Sequence, residues 1–495
     1  MSELSRQERT ATGALFLAGV RILTKSLDLI TLLILTRCLL PQDFGLVAIA
    51  LSFVQIAEAI LDVPLGNVLL RLKVIERTQL NTLFTLSLLR GVVIAVVMCA
   101  LAVPLAHFYN DERLVGLICA LSLAPAVRGL SSPRQVELAK SLRFGPEGIS
   151  DAVGKIAALI VASSIALATG SYWAIAAATL AAPAVTTFVT FVLLPFMPAL
   201  CLREWRLFRS FLGWTMAGQV FSAMNWQCDR VVLAKIIPQA QLGLFATARD
   251  LASTGIMALV NTITWPIISA LSGVSHNRER LARAYALGTS AILALCLPIV
   301  CGQALVASEL VPAMLGKQWV GAIPIFQAVS LTLIPVLYSN TTTLLFYAVG
   351  RPDLIFSRHF YDFLFRVPVT ILLAVRFGWV GAVAALGAAE VLLTGICCLS
   401  VKKLLGVSIL RQLLNPWRSI LSCICMGGAL VLLRDVMPFA SDKGSDIRFL
   451  ATAIPLGAAT YFSSHAALWY LSGRPEGVET LALGLVRRKI AAFAV

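Results

Sequence analysis

Residues 13–40 read GALFLAGVRILTKSLDLITLLILTRCLL, an apolar run long enough to cross a bilayer as a helix. The run nevertheless contains Arg21, Lys25 and Asp28, which fall within an arc of about 60° on a helical wheel. Each ionisable group costs roughly 2.5–3.5 kcal/mol at the centre of a bilayer. This side of the helix must therefore face protein or water, and the sequence predicts a polar interior.

The sequence at the end of this first helix, with the turn that follows it, recurs in similar form near the middle of the chain. Residues 37–46 read RCLLPQDFGL, and residues 235–244 read KIIPQAQLGL. Both stretches place a basic residue before an aliphatic-Pro-Gln step and open the next helix with Gly-Leu, although the proline is displaced by one position. The match favours an internal duplication.

The composition indicates an all-α integral membrane protein. The chain has 495 residues, of which 59% are hydrophobic and 13% are charged, whereas soluble domains have about 45–50% apolar and about 25% charged residues. The apolar runs lack the alternation of barrel strands, so we predict helices. The first run is too long for a signal-peptide core and has no small-residue cleavage site after it, so we expect it to remain as an anchor.

With about 20 residues per span, charged and Pro/Gly-rich breaks divide the chain into fourteen predicted transmembrane helices. They cover residues 13–40, 44–70, 81–106, 114–132, 149–169, 173–197, 210–236, 243–274, 285–307, 319–349, 355–375, 379–401, 417–433 and 449–472.

The distribution of Lys and Arg predicts the orientation in the membrane. Basic residues are concentrated in the loops on the side of the N-terminus, and this alternation holds through every loop. We therefore predict cytoplasmic N- and C-termini, and the net charge of +15 reflects topology rather than binding of nucleic acid. The loops on the opposite side hold only Arg113, Lys317, Arg376, Arg434, Lys443 and Arg448.

The sequence contains no signature of an enzyme, and we predict none. There is no Gly-x-x-x-x-Gly-Lys loop, no His-Glu-x-x-His and no Gly-x-Ser-x-Gly. The four histidines and eleven cysteines show no metal-site spacing, so we predict no metal and no cofactor. A membrane polysaccharide polymerase is the rival class, but it usually needs a sizeable outward loop, and every loop here is short.

Ionisable residues inside the predicted spans are the remaining source of chemistry. The spans of the first half carry more cations than anions, which suits an anionic substrate such as a pyrophosphate, because arginine can hold it in a bidentate fashion. The alternative is that these groups form structural pairs or extend to the interface. The candidates for substrate binding are Arg21, Lys25, Arg90 and Arg128, with Arg249 from the eighth span.

Several spacings along single helices suggest ion pairs instead. Three sets lie three or four residues apart, and residues at these distances are neighbours on a helix. These sets are Lys25/Asp28, Asp151/Lys155 and Arg358/Asp362/Arg366.

The seventh predicted span has a polar side of its own, within about 120° on a helical wheel. Amides and an indole could hydrogen-bond and stack on a sugar, so we take Gln219, Asn225 and Trp226 as substrate-binding candidates. Hydrogen bonds between helices are the structural alternative. An Asp at mid-helix could also bind a proton or Na⁺, and Asp28 and Asp229 are the candidates.

Motifs in a consistent order resemble those of the polysaccharide-transporter branch of the multidrug/oligosaccharidyl-lipid/polysaccharide exporter superfamily. The turn after the first span and its repeat at residues 237–244 are two of them. Residues 309–322, ELVPAMLGKQWVGA, are similar to the family's Leu-x-Gly-x-x-Trp segment. Gly350-Arg351-Pro352 resembles the turn after its tenth span, and Arg143-Phe144 resembles the basic-Phe step after its fourth.

The resemblance covers roughly residues 10–470 and is strongest for exporters of the exopolysaccharide and colanic-acid type. It implies two pseudo-symmetric six-helix bundles, at residues 1–205 and 206–405, and two further spans with a tail at residues 406–495. It also implies a flippase of the bacterial inner membrane. By alternating access this would turn undecaprenyl-pyrophosphate-linked oligosaccharide units to the periplasmic leaflet for exopolysaccharide or lipopolysaccharide biosynthesis. A polysaccharide polymerase and chain-length proteins would be its partners.

Two alternatives share this fold. A lipid II flippase has a similar number of spans and also takes a pyrophosphate-linked cargo. A cation-coupled multidrug exporter usually has twelve spans and a less cationic cavity, so the two spans after residue 410 argue against it.

Overall fold

The computed structural model describes residues 3–61, 65–70, 72, 74–141, 145–209, 214–437, 443–474 and 479–480. Helices and short turns account for nearly all of these residues, and no strand occurs among them. The all-α prediction is confirmed.

The helices, in chain order, are α1 (Glu3–Cys38), α2 (Pro41–Ile60), α3 (Leu65–Leu70), α4 (Arg77–Tyr109), α5 (Arg113–Gly129), α6 (Gln135–Lys140), α7 (Gly145–Thr169), α8 (Trp173–Leu193), α9 (Trp205–Arg209), α10 (Trp214–Ile236), α11 (Gln239–Gly273), α12 (Arg278–Leu305), α13 (Ala307–Leu315), α14 (Ile323–Val349), α15 (Pro352–Leu405), α16 (Ile409–Leu414), α17 (Trp417–Val436) and α18 (Lys443–Leu471), with a 3-10 helix at Lys317–Ala322.

The long helices follow the fourteen predicted spans in order. Thirteen helices in the described part of the chain have at least 17 residues. One of them, α15, is broken at Gly378, whose backbone (φ 59°, ψ −135°) is readily adopted only by glycine. Counting α15 as two gives fourteen segments. Within the described ranges, nine helices are long and apolar enough to cross a membrane by length and composition.

The structure differs from the predicted spans mainly at their ends. The predicted span 44–70 consists of α2, which ends at Ile60, and the separate helix α3. The predicted span 319–349 opens with a 3-10 turn before α14 begins at Ile323. The short helices α6, α9 and α16 lie where the sequence predicts loops, because hydropathy identifies long apolar runs and gives no signal for a helix of five or six residues.

The chain divides into two compact units, Met1–Ala246 and Thr247–Val495. In unit 1, α4 packs closely on α5 through small residues, as is common between membrane helices. A Cβ on Gly91 would lie 2.8 Å from the carbonyl oxygen of Pro125. A second cluster joins α1, α7 and α8 around Leu39 and Ala162, both fully buried.

In unit 2, the last two long helices pack on α12. Tyr461 of α18 is buried in a cluster with Met426 and Leu430 of α17 and Leu297 of α12. Its hydroxyl donates a hydrogen bond to the carbonyl oxygen of Ala294 at 2.8 Å. The final helix pair is therefore an integral part of unit 2. The division at residues 205/206 and 405/406 rests on repeat boundaries rather than compactness and stays a prediction.

Candidate functional site

The charged stripe of α1 lies against α7. Lys25 Nζ is 3.4 Å from Asp28 Oδ2, as the spacing predicts. Lys155 of α7 places its Nζ 2.6 Å from Asp28 Oδ1, and so pairs with another helix instead of with Asp151. The sequence could not reveal this, because a helical wheel gives the direction of a side chain and not the neighbour that it meets.

These side chains remain accessible. The side chain of Lys25 is 54% exposed and that of Asp28 is 32% exposed. Arg21, one turn earlier, is also exposed and has no ion pair with any described side chain, although its guanidinium acts electrostatically on Glu147 of α7. Asp28 is thus shared between two lysines, and the stripe keeps a surplus of positive charge.

The other two predicted cations lie on the neighbouring pair α4 and α5. Arg128 of α5 pairs with Glu58 of α2, and the arginine side chain is still 54% exposed. Arg90 of α4 is half-buried and lines a cavity of about 250 Å³ together with Ser87 and Ser132. The sequence offers Glu58 as an ionisable residue within a span, but nothing in it indicates that Arg128 is its partner.

Accessible charges within apolar helices limit what can surround them. A charge at the depth of the hydrocarbon is expensive unless it faces protein or water. Because Lys25 and Arg128 are each half exposed within unit 1, their free surface is best accommodated by a water-filled space. Such a space would suit a phosphate group, for which Arg and Lys are the usual ligands.

The polar side of α10 divides between two environments. Gln219 and Trp226 are exposed, the latter by 53%. Asn225 and Asp229 are buried, with 3% and 0% exposed. One reason is that α10 packs on α2, where Gln227 Nε2 donates to Gln55 Oε1. The structure thus does not bring the four polar candidates onto one open face.

Arg249, on α11, lies in unit 2 and is only 8% exposed. Unit 2 also holds a buried ionic cluster on the two halves of α15. Arg366 Nε donates to Asp362 Oδ1 at 3.0 Å, and its Nη2 contacts Glu390. Arg358 does not extend this set as its spacing suggested, since its Nη2 points to Ser339 Oγ at 3.3 Å.

The repeated turn described from the sequence forms a contact with itself, which we call the glycine junction (Pro41, Gly45, Gln239 and Gly243). A Cβ on Gly45 would overlap the carbonyl oxygen of Gln239, and a Cβ on Gly243 would overlap that of Pro41. Gly45 stands four residues after Pro41, and Gly243 stands four residues after Gln239. Each glycine thus meets the carbonyl at the equivalent position of the other turn, so the contact has approximate two-fold symmetry. Only glycine permits this approach.

A polar cluster lies beside the glycine junction. Asp111 Oδ2 accepts from Arg113 Nη2 at 2.7 Å and from Gln239 Nε2 at 2.6 Å. The hydrogen bond from the Arg113 guanidinium lowers the pKa of the Asp111 carboxyl most. Burial raises this pKa, the Gln239 amide lowers it further, and the net pKa is below the ordinary value. The turns after the first, third and seventh predicted spans therefore meet at one end of unit 1. Turns after odd-numbered spans are expected on the same side of a membrane, because each span reverses the direction of the chain.

Among the residues whose placement is described, no group of three or more His, Cys, Asp or Glu side chains is arranged to hold a metal ion.

Comparison with known sequences identifies relatives named for polysaccharide biosynthesis and transport. The chain is 22% identical over 423 residues to the lipopolysaccharide biosynthesis protein WzxC of Escherichia coli (strain K12), which covers 84% of this chain and 85% of that protein. It is 22% identical over 312 residues to the succinoglycan biosynthesis transport protein ExoT of Rhizobium meliloti (strain 1021), over 62% and 63% of the two chains.

Comparison with solved structures identifies the fold. The lipid II flippase MurJ in an inward closed conformation superposes with a TM-score of 0.70 at 14% identity, over 93% of this chain and 98% of that chain. An inward-facing MATE family transporter of the MOP superfamily gives a TM-score of 0.60 at 15% identity, over 78% and 98%. At such low identity these two likenesses concern the fold alone.

The sequence model of the family described as "Polysaccharide biosynthesis protein" matches residues 34–324, more than half of the chain. This chain is a multi-pass membrane protein that belongs to the polysaccharide biosynthesis protein family and has the fold seen in MurJ and the MATE transporters.

Proposed function

We propose that this protein is a flippase for undecaprenyl-pyrophosphate-linked oligosaccharide repeat units, acting by alternating access without changing a covalent bond. Its family and the names of its relatives, a lipopolysaccharide biosynthesis protein and a succinoglycan biosynthesis transport protein, support this class of cargo. The product would be exopolysaccharide or lipopolysaccharide.

The observation that carries the proposal is the set of accessible cations within the apolar helices of unit 1. Lys25 and Arg128 are each 54% exposed although they sit in long apolar helices. With Arg21 and Arg90 they would supply the positive charge that a pyrophosphate needs to leave the headgroup region. Each contact would be a charge-assisted hydrogen bond, which is roughly twice as strong as a neutral one.

The carboxylates beside these cations have a part in the same mechanism. In the absence of cargo, Asp28 and Glu58 neutralise part of the positive charge and reduce the cost of keeping it at that depth. A pyrophosphate carries more charge than a carboxylate and would displace it from the basic groups. Asp28, released from Lys155, is then the group that could take up a proton or Na⁺.

The glycan would follow the phosphate along the exposed polar residues of α10. Gln219 offers amide hydrogen bonds to sugar hydroxyls, and Trp226 offers an aromatic face. Asn225 and Asp229 are buried, so any contact with cargo would require α10 to move away from α2.

Alternating access requires an end that closes and reopens, and the glycine junction suits this task. Its helices meet backbone to backbone at Gly45 and Gly243, and the polar cluster of Asp111, Arg113 and Gln239 beside it can exchange its hydrogen bonds with water when this end opens. If the positive-inside distribution sets the orientation, the basic loops and both termini are cytoplasmic, and the glycine junction closes the periplasmic side of the inner membrane. A polysaccharide polymerase and chain-length proteins would act on the exported units.

Deletion of the gene tests the choice of cargo. We expect surface polysaccharide to disappear while incorporation of labelled peptidoglycan precursor and growth continue unchanged. A matched strain carrying the Lys402→Ala/Lys403→Ala variant, altered at two exposed residues near the end of α15, should keep its polysaccharide. Growth arrest with lysis and intact surface polysaccharide would contradict the proposal and indicate a lipid II flippase.

A further inference from the structure

A basic cavity lies at one end of unit 2, and none of its lining residues is among those proposed to bind cargo. It has a volume of about 810 Å³ and is formed by the start of α12, the turn after α15, and α16. We call it the arginine pocket and define it by Arg278, Arg283, Arg411 and Gln412. Its volume is within the range of small-molecule sites.

The charge of the arginine pocket is not balanced within the described residues. Arg283 and Arg411 have no ion pair there, and Arg278 makes only a 3.5 Å contact from Nη2 to the carbonyl oxygen of Lys403. Glu279 is the acidic residue of the lining, so three guanidinium groups face one carboxylate. Guanidinium groups gathered around one cavity repel each other unless an anion joins them, and their planar fork fits phosphate oxygens.

The wall also holds a buried polar atom without a partner. Gln412 is 5% exposed, and its Nε2 donates to the carbonyl oxygens of Cys398 at 3.0 Å and Val407 at 2.9 Å. These two bonds leave its Oε1 buried without a donor. A buried acceptor without a donor destabilises the fold, because its hydration is lost and no hydrogen bond replaces it. Gln412 lines the cavity, so a small rotation of its side chain would let an occupant with a hydroxyl group as well as a phosphate donate to this oxygen.

The surroundings indicate that this phosphate belongs to a lipid. The short helix α16 buries Gln412 and exposes Leu410 by 67% and Leu414 by 52%. Trp417, at the start of α17, is 44% exposed. Leucine and tryptophan beside basic residues are typical of a helix that lies in the membrane interface.

From these observations we propose that the arginine pocket binds the headgroup of an anionic phospholipid with a polyol, such as phosphatidylglycerol. The three arginines hold the phosphodiester, the Gln412 Oε1 accepts from a headgroup hydroxyl, and the acyl chains lie along Leu410 and Leu414. This site is independent of the transport proposal, because it shares no residue with the predicted cargo site.

The test is native mass spectrometry of the full-length protein in detergent during titration with phosphatidylglycerol. The variant Arg278→Ala/Arg283→Ala/Arg411→Ala should bind on the order of 100-fold more weakly, from about 1 kcal/mol for each basic contact. The matched control is Arg280→Ala/Lys402→Ala/Lys403→Ala, which removes the same charge from exposed residues outside the cavity wall. We expect a loss of less than about threefold in this control, because its three charges do not line the cavity and are screened over the distance to a bound headgroup. An equal loss in both variants would overturn the proposal.

Two probes of the wild-type protein make the test independent of how the variants fold. Phosphatidylglycerol should bind about fivefold more tightly than phosphatidylmethanol, which has the same charge and no hydroxyl, because only the first can donate to Gln412. In nanodiscs, phosphatidylglycerol should slow hydrogen exchange of residues 405–415 relative to phosphatidylcholine. Equal binding of the two lipids, unchanged exchange, or a site filled by inorganic pyrophosphate and not by lipid would each contradict the assignment.

Discussion

One set of intramembrane charges in unit 1 and one set in unit 2 are held in opposite ways. In unit 1, Lys25 and Arg128 have carboxylate partners and yet remain 54% exposed. In unit 2, the side chains of Arg366, Asp362 and Glu390 are 4%, 7% and 10% exposed. The same residue types in similarly apolar helices thus form an accessible set and a closed set. The comparison teaches that a charged residue within a span indicates function only when its side chain is known to be accessible.

The largest effect is expected from the closed set. Arg366→Ala leaves two buried carboxylates without their cation and should reduce the free energy of unfolding by about 3–5 kcal/mol. Thermal unfolding in detergent measures this. Arg376→Ala, at an exposed position of the same helix, is the matched control and should be nearly neutral. A variant at Arg366 as stable as wild type would show that the buried cluster contributes no stability, and the contrast between the units would fail.

Next in size is the glycine junction of unit 1. Gly243→Ala would place a methyl group against the carbonyl oxygen of Pro41, so we expect a loss of roughly 1–3 kcal/mol. Gly255→Ala is matched on the same helix, has no atom within 4 Å of the new Cβ, and should stabilise by up to about 1 kcal/mol. Opposite signs in thermal unfolding would support close packing at this end; a gain of stability at both positions would refute it.

The exposed ion pair between Arg128 and Glu58 should contribute less to the free energy of unfolding than either of these features. A double-mutant cycle on Arg128→Ala and Glu58→Ala should give a coupling energy of about 0.2–1 kcal/mol, because solvent weakens an exposed ion pair. The same cycle on Arg366 and Glu390 should give several times more. Coupling of similar size in both cycles would remove the distinction between an open and a closed set of charges.

The smallest effect is a dependence of stability on pH that comes from Asp111, beside the glycine junction. The pKa of Asp111 is lowered by Arg113, so the ionised carboxyl stabilises the folded state at pH values above the ordinary Asp pKa of about 3.9. The stability advantage of wild type over Asp111→Asn should stay constant from about pH 8 to pH 5. It should shrink as the pH falls below about 4, where Asp111 becomes protonated. An advantage that grows on acidification would contradict this sign.

Much of the fold could be predicted from sequence, because a bilayer requires apolar runs of about 20 residues and charged or Pro/Gly-rich breaks separate these runs. The fourteen segments follow from this rule, and the repeated turn is visible as a repeat in the sequence. What could not be predicted is contact between helices. The same wheel of α10 contains exposed Trp226 and buried Asp229, and the packing of α10 on α2 is one contact that the wheel could not reveal.

The candidate site of unit 1 and the buried cluster of unit 2 show the same limit of sequence-based prediction. The pairing of Lys155 with Asp28 crosses from α7 to α1, and the contact of Arg366 with Glu390 joins two halves of α15 across the break at Gly378. Neither follows from spacing along one helix. Membrane topology alone accounts for the arginines at the start of α12, so nothing in their spacing indicates a binding site.

The central claim is that the accessible cations of unit 1 hold the pyrophosphate of a lipid-linked oligosaccharide. The most direct measurement is movement of a labelled undecaprenyl-pyrophosphate-linked oligosaccharide across proteoliposomes. We compare wild type, the Arg21→Ala/Lys25→Ala/Arg90→Ala/Arg128→Ala variant and the Lys402→Ala/Lys403→Ala control, with equal amounts of folded protein in the membrane. We predict that the first variant loses transport while the control retains the wild-type rate. Wild-type transport by the first variant, or an equal loss in both, would contradict the claim.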